Sequence, residues 1–255
     1  MRAPQRSATS YEVSNGVVAL PPGILFLAGS RTLIAADVHF AYEDVIGGAL
    51  PLWSTAQIVG SLLSAAREMQ ARELVLLGDV IHGPLMSEGA AAKVGAALLA
   101  LREVLVVHII AGNHEGPTRG AAVLGATTES EERAGWELEH GDRAPRAGVR
   151  CIIGHLHPSL HLGAGASIPA FVVAAQVIVV PALTPYSRGL NVCSDEFLQA
   201  LQPWDVRTTD AHVVAADRAR VYPFGSLREL RRMLRAPRRR TAAAFHRKFL
   251  RPDRS

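Results

Sequence analysis

Aromatic side chains are scarce in this sequence, at 5% of 255 residues against 49% hydrophobic residues in all. A core of that make-up must be filled by Ala, Val, Leu and Ile, and the length suits one large α/β domain or two small ones. Cysteine is scarcer still. Two thiols far apart, Cys151 and Cys193, exclude a disulfide framework and a zinc-finger pattern, and they fit a reducing cytoplasm. No apolar run reaches the ~20 residues of a membrane span. The longest, residues 168–183, is interrupted by Pro169, Gln176 and Pro181. The first ten residues carry two arginines with no apolar run behind them, so no secretory signal is expected. No internal repeat is present.

Acidic charge is missing from one end only. Of 27 Lys/Arg and 23 Asp/Glu, eleven and two respectively lie from Ser226 onward, so residues 226–255 carry +9 and the remainder −5. The overall +4 therefore belongs to an Arg-rich tail, and the mildly acidic body suits carboxylates that serve cations. The expected division is a domain over 1–225 and a tail over 226–255.

What is present is a strand–helix alternation. Residues 31–36, 73–77 and 104–111 read as buried strands. Residues 54–69 place Ile58, Leu62, Ala65 and Met69 on one helical face, and 87–101 is an Ala-rich helix with Ser87 as its cap. That order implies parallel strands with right-handed crossovers. Two short strands, 16–20 and 23–27, flank Pro21-Pro22 before it. The second half is strand-rich, at 135–139, 149–153, 171–180, 211–215 and 220–222, with one helix at 194–201. An α/β first half followed by such a half predicts two stacked sheets with helices outside.

The polar residues fall at strand ends. Asp37-Val38-His39 follows the first long strand, Gly78-Asp79 the second, and Gly112-Asn113-His114-Glu115 the third; Gly154-His155-Leu156-His157 follows the strand at 149–153. Ligands in open α/β sheets bind beyond the carboxyl ends of strands, so the four clusters should meet on one rim. Carboxylate, imidazole and amide donors suit Mn²⁺, Fe or Zn²⁺. Two such ions ~3.5–4 Å apart clamp a phosphoryl group. Each piece alone has a bland reading: Asp-x-His as a helix cap, Gly-Asp as a turn, His140 as an ordinary loop residue. The conjunction, in this order, points to metal. His108 reads as structural within its strand, His161 as a neighbour of the His155/His157 pair, and His212 and His246 as structural or exposed.

The ordered set resembles the calcineurin-like metallophosphoesterase superfamily, whose pattern runs D-x-H, G-D-x-x-D, G-N-H-[DE], a lone H, and G-H-x-H. The match covers residues 35–158. It implies a four-layer α/β fold, two stacked mixed β-sheets flanked by helices. It implies that Asp37, His39 and His157 hold one metal, that Asp79 bridges, and that Asn113, His140 and His155 hold the second. The implied cofactors are two divalent ions, manganese first, with iron or zinc as alternatives. His114 matches the family's catalytic histidine, placed to protonate the leaving oxygen or stabilise its charge. The chain departs at His82, where the wider family has Asp. Gly-Asp-x-x-His occurs in a subset that includes archaeal phosphoesterases and bacterial ligase-associated DNA-damage-response endonucleases. Residues 37–43 and 181–192 also resemble that subset.

The resulting expectation is a metal-dependent hydrolase of phosphodiesters, with DNA as substrate and a helicase or ligase as partner by resemblance, and no membrane. His82, Arg119 and Arg188, with Tyr186, are candidate substrate or supporting residues. The arginines at 231, 232, 235 and 238–240 could contact phosphates; a solubilising terminus is the alternative. A phosphomonoesterase or a small cyclic- or dinucleotide phosphodiesterase is the enzymatic rival, and a non-catalytic scaffold the rival of another class. A complete ligand set with His114 counts against the scaffold.

Overall fold

Runs of apolar residues without alternation build the centre of the first sheet, as expected of strands covered on both faces. The structure, a computed structural model, describes residues 9–47, 52–83, 85–114, 119–163 and 165–235. Strands β1 (Tyr11–Ser14), β2 (Val17–Leu20), β3 (Ile24–Leu27) and β4 (Thr32–Ala36) form an antiparallel meander. Helices α1 (Tyr42–Ile46) and α2 (Ser54–Met69) then lead to β5 (Glu73–Leu77), and α3 (Glu88–Arg102) leads to β6 (Val106–Ile110). β5 and β6 add in parallel, giving a six-stranded sheet in the order β1-β2-β3-β4-β5-β6. The Ser87 hydroxyl caps α3 by accepting from the Ala90 amide.

The second half supplies the second sheet. After α4 (Arg119–Leu124) come β7 (Ser130–Arg133), β8 (Trp136–Glu139), β9 (Cys151–Ile153), β10 (Pro158–Gly163), β11 (Ala166–Val173), β12 (Val177–Val179) and β13 (Leu190–Asn191). α5 (Asp195–Ala200), β14 (His212–Ala216), β15 (Val221–Ser226) and α6 (Leu227–Arg235) complete it. The path is β13-β10-β11-β12-β9-β8-β7, with β14 against β11 and β15 beyond β14. β8, β9 and β12 are mutually parallel and the remainder largely antiparallel.

Three apolar layers hold four structural layers together. Leu25, Ile34, Val75 and Leu77 of the first sheet meet Leu138, Ile152, Phe171 and Ile178 of the second. The outer face of the first sheet is covered by Ile58, Leu62 and Ala65 of α2 and by Val94, Leu98 and Leu101 of α3. The outer face of the second receives Phe197 of α5 and Leu227 and Leu230 of α6. This is the two-sheet sandwich flanked by helices that the sequence predicts.

Two sequence readings change. Residues 171–180 are not one strand: β11 and β12 are antiparallel, and the Ala174 amide bonds the Val177 carbonyl at 2.8 Å to close a tight turn between them. No glycine or proline marks that turn. The body also continues past 225. Leu227 is fully buried and Leu230 nearly so, so the first part of the expected tail is a packed helix, with Arg228 and Arg232 exposed and Arg231 tucked against Asp195 of α5. Residues 236–255, including Arg238 to Arg240, lie outside the described residues. Truncating Leu227 to Ala should cost about 2–5 kcal/mol, the usual range for a buried leucine, read as a lowered urea midpoint.

Candidate metal centre

Every strand that ends in a polar cluster ends on the same rim. β4, β5 and β6 run parallel and release Asp37, Asp79 and Asn113 at their carboxyl ends. The second sheet closes against them there. Ala36 bridges Ala182 in parallel, and the Leu183 amide donates to the Ala36 carbonyl at 3.0 Å. The strand-end loops are laced together by their backbones: the His39 amide bonds the Asp79 carbonyl at 3.1 Å, and the Gly154 amide bonds the His140 carbonyl at 2.9 Å.

All seven residues expected to bind metal are brought together. Asp37, His39 and His157 form one group of donors, and Asp79, His140 and His155 a second; within each, the ligand atoms lie within 4.8 Å of one another. Asn113 joins the second group, its Oδ1 3.0 Å from His140 Nε2. The carboxylates are held from behind. Asp37 Oδ2 accepts the His155 amide at 2.9 Å, and Asp79 Oδ1 accepts the His114 amide at 3.1 Å. Their other oxygens face the imidazoles: Asp37 Oδ1 is 3.1 Å from His157 Nε2, and Asp79 Oδ2 is 3.5 Å from His140 Nε2. His140 Nδ1 lies 2.9 Å from the Leu77 carbonyl, which fixes that nitrogen as the donor and leaves Nε2 with its lone pair toward the cluster.

These donors fit divalent cations. His39 Nδ1 is buried without a hydrogen-bond partner, and Asp37 Oδ1 has only the His157 imidazole facing it, a costly state that coordination would relieve. The backbone carries a second sign. Asp37, His39, Asp79, His155 and His157 all adopt positive φ, between 42° and 60°, and they are half of the ten such non-glycine residues among those described. Each costs of order 1 kcal/mol or more, and such strain concentrates where a site needs it.

Electrostatics keep the His39 and His155 imidazoles available. Burial, against the pull of Asp37, lowers His39 to about 3, so its ring is neutral at physiological pH. Burial and the neighbouring His140 lower His155 as well. Burial would raise Asp37, but His157, His140 and His39 outweigh it and hold the carboxylate ionised. Burial would likewise lower His157, and Asp37 overrides it in the other direction.

A row of rings flanks the donors. His82 stacks on His114 with centroids 4.7 Å apart and meets His39 edge-on at 4.7 Å and Tyr42 at 4.5 Å. Tyr42 in turn lies 5.4 Å from Tyr186. The His114 ring is partly exposed, and its Nε2 is 3.7 Å from Asp79 Oδ2. Tyr186 donates to Glu43 Oε1 at 3.2 Å and accepts from Trp53 Nε1 at 3.1 Å. The sequence placed Tyr42 and Glu43 in the 37–43 resemblance without a role and did not single out Trp53; the concentration of rings around 40–53 in an aromatic-poor chain was the available signal. His108 lies away from the rim, bonded to Glu131 and Arg133. Arg119 begins α4, and Arg188 is exposed beside the His157 loop.

Glu43 is the buried anchor of that region. Burial would raise its carboxyl, but the Ser54 amide and hydroxyl, each at 2.8 Å, and Tyr186 hold it below its ordinary value of 4.5. A depressed carboxylate contributes stability that is complete above the unfolded value and is lost as pH falls through the folded one. Glu43→Gln should therefore flatten the decline in urea midpoint between about pH 5 and about pH 3 relative to wild type.

Neither a family model nor a curated protein matches the sequence. Among solved structures, the nuclease MPE of Pseudomonas putida superposes with a TM-score of 0.65, at 22% identity, over 86% of this chain and 100% of that one. Yfce, a phosphoesterase from E. coli, matches with a TM-score of 0.37, at 19% identity, over 63% of this chain and 81% of that one. The likeness to MPE establishes a shared fold.

Proposed function

We propose that this chain is a phosphoesterase that hydrolyses phosphodiester bonds with two divalent cations, and that its substrate is nucleic acid. The observation that carries the reading is the pair of adjoining donor groups, Asp37/His39/His157 and Asp79/His140/His155, with buried carboxylate and imidazole atoms that lack other partners. In this reading the first group holds one cation and the second, with Asn113, the other, while Asp79 lies between them. Bound there, the cations would lower the pKa of the attacking water and neutralise the phosphoryl oxygens.

The chain's own groups supply the remainder. Asp37 and Asp79 are fixed by backbone amides, so their free oxygens need no reorganisation. His114, partly exposed and ordered by its stack on His82, is placed to give a proton to the departing oxygen. His82 acts on His114 rather than on a cation in this arrangement. The nuclease named among the structural neighbours, spanned along its whole length, favours nucleic acid over a small ester.

The test is direct. Metal-stripped protein should turn over bis(p-nitrophenyl) phosphate only after Mn²⁺ is restored, should prefer it to the monoester, and should cleave DNA. Elemental analysis should find two ions per chain. A preference for the monoester would replace the diester reading with a phosphomonoesterase. Inactivity on both esters with two metals bound would overturn the enzyme itself.

A further inference from the structure

A cleft of about 440 Å³ opens directly from the donor cluster, within the range of small-molecule sites. His157 of the donor cluster lines it, and Ile168, Pro169, Pro181 and Leu183 give it apolar lining. Gln57 and Ser61 of α2, four residues apart and so on one helical face, also line it. Two arginines line it from different elements, Arg188 from the loop after β12 and Arg218 from the turn between β14 and β15.

Neither arginine hangs on a free loop. The Arg188 carbonyl accepts the Ser159 hydroxyl at 3.0 Å, and the preceding Ser187 hydroxyl lies 2.8 Å from His157 Nδ1. The following Gly189, at φ +66°, packs so closely that a Cβ would lie 2.4 Å from the His157 carbonyl oxygen. Arg188 is therefore registered against the donor loop itself. Arg218 is presented by Asp217, the one acid on the cleft. That carboxylate is consumed by the Ala219 and Arg220 amides, each at 2.8 Å, and by the Tyr222 hydroxyl at 2.6 Å. The cleft thus combines apolar lining suited to a flat moiety with two basic residues.

We propose that this cleft is the subsite for the nucleotide adjoining the scissile phosphate, its base or sugar on the Ile168/Pro169 wall and its next phosphate on Arg188 and Arg218. The assignment rests on the diesterase reading above and adds to it a substrate class: a polynucleotide bearing a further phosphate, not an isolated diester. Arginine is the residue suited to a phosphate at such a point, because its fork donates two hydrogen bonds at once.

The experiment compares nucleoside p-nitrophenyl phosphodiesters with and without a second phosphate on the far side of the sugar, in both polarities, using metal-loaded full-length protein. In wild type the added phosphate should raise kcat/KM by at least roughly tenfold in one polarity, the strength of a charge-assisted contact. R188Q and R218Q should each reduce that gain, and the double variant should bring it within about twofold. The gain is a ratio within each variant, so partial misfolding does not mimic it. A wild-type gain under twofold in both polarities, or a full gain in the double variant, would overturn the subsite. Failure of wild type to cleave any of these diesters would instead remove the diesterase reading beneath it.

Discussion

Asp79→Asn should abolish diester hydrolysis and leave the protein short of metal, whereas His114→Ala should abolish hydrolysis of DNA while keeping its metal. The two residues touch, which makes the contrast informative. Asp79 Oδ1 accepts the His114 amide, and Asp79 Oδ2 faces the imidazoles of His140 and His114. Asparagine retains an acceptor for the amide and nearly the same volume, so the loop stays in place. What disappears is the negative charge between the donor groups, and the loss should exceed roughly a thousandfold in turnover, with elemental analysis showing depletion of both ions. His114→Ala keeps the backbone amide and removes only the ring. A positioned general acid is worth about 10²–10⁴-fold, and the loss should depend on the leaving group. It should be near the top of that range for the alkoxide released from DNA and much smaller for p-nitrophenolate, which departs without a proton. Equal losses on both substrates would show that His114 does not act on the leaving oxygen. Metal loss in His114→Ala would move it into the ligand set.

How much of this was legible beforehand depended on which residue carried each signal. β4, β5 and α2 were readable because their apolar residues run unbroken or recur at helical spacing, and because Gly78 and Gly112 punctuate the strands that precede the donors. Strand β10 was not. It begins at Pro158, carries Ser159 and His161, and owes its place to a hairpin with β11 and to β13, a partner distant in sequence. The hairpin at Ala174 was hidden because an apolar run broken only by Gln176 reads the same whether it continues or folds back. At the site, the convergence of the candidate donors was readable from motif order, since strand ends converge in any such sheet. Their left-handed backbone was not, because the enrichment of Asp and His at positive φ is too weak to single out individual positions. Nor was Arg218, which lies sixty residues beyond His157 and reaches the same cleft only because β14 pairs with β11. The helical spacing of Leu227, Leu230, Met233 and Leu234 was readable among the arginines, but not that Leu227 and Leu230 pack against the second sheet.

Gly112→Ala is expected to disable the site without removing any donor. Gly112 has a backbone angle open to any residue, so the added methyl meets no conformational objection of its own. Its difficulty is space. A Cβ there would lie 2.2 Å from both the Asp79 amide nitrogen and Asp79 Oδ1, and a contact with backbone cannot be relieved by a rotamer change. The loops after β5 and β6 must separate by about 1 Å, the scale of misplacement that can cost a hundredfold in rate. The separation moves Asp79 away from His140, and it moves Asn113 and His114 together on the other loop. Turnover should therefore fall by roughly a hundredfold or more, with weakened metal retention and a stability loss of about 1–3 kcal/mol. Gly60→Ala is the matched control. It lies in α2 with nothing within 4 Å of the new methyl, and there the same substitution should gain about 0.5–1 kcal/mol through helix propensity. If Gly112→Ala kept full metal content and turnover, the loops after β5 and β6 would not meet as described, and the convergence of Asp79 with Asn113 and His114 would fail with them.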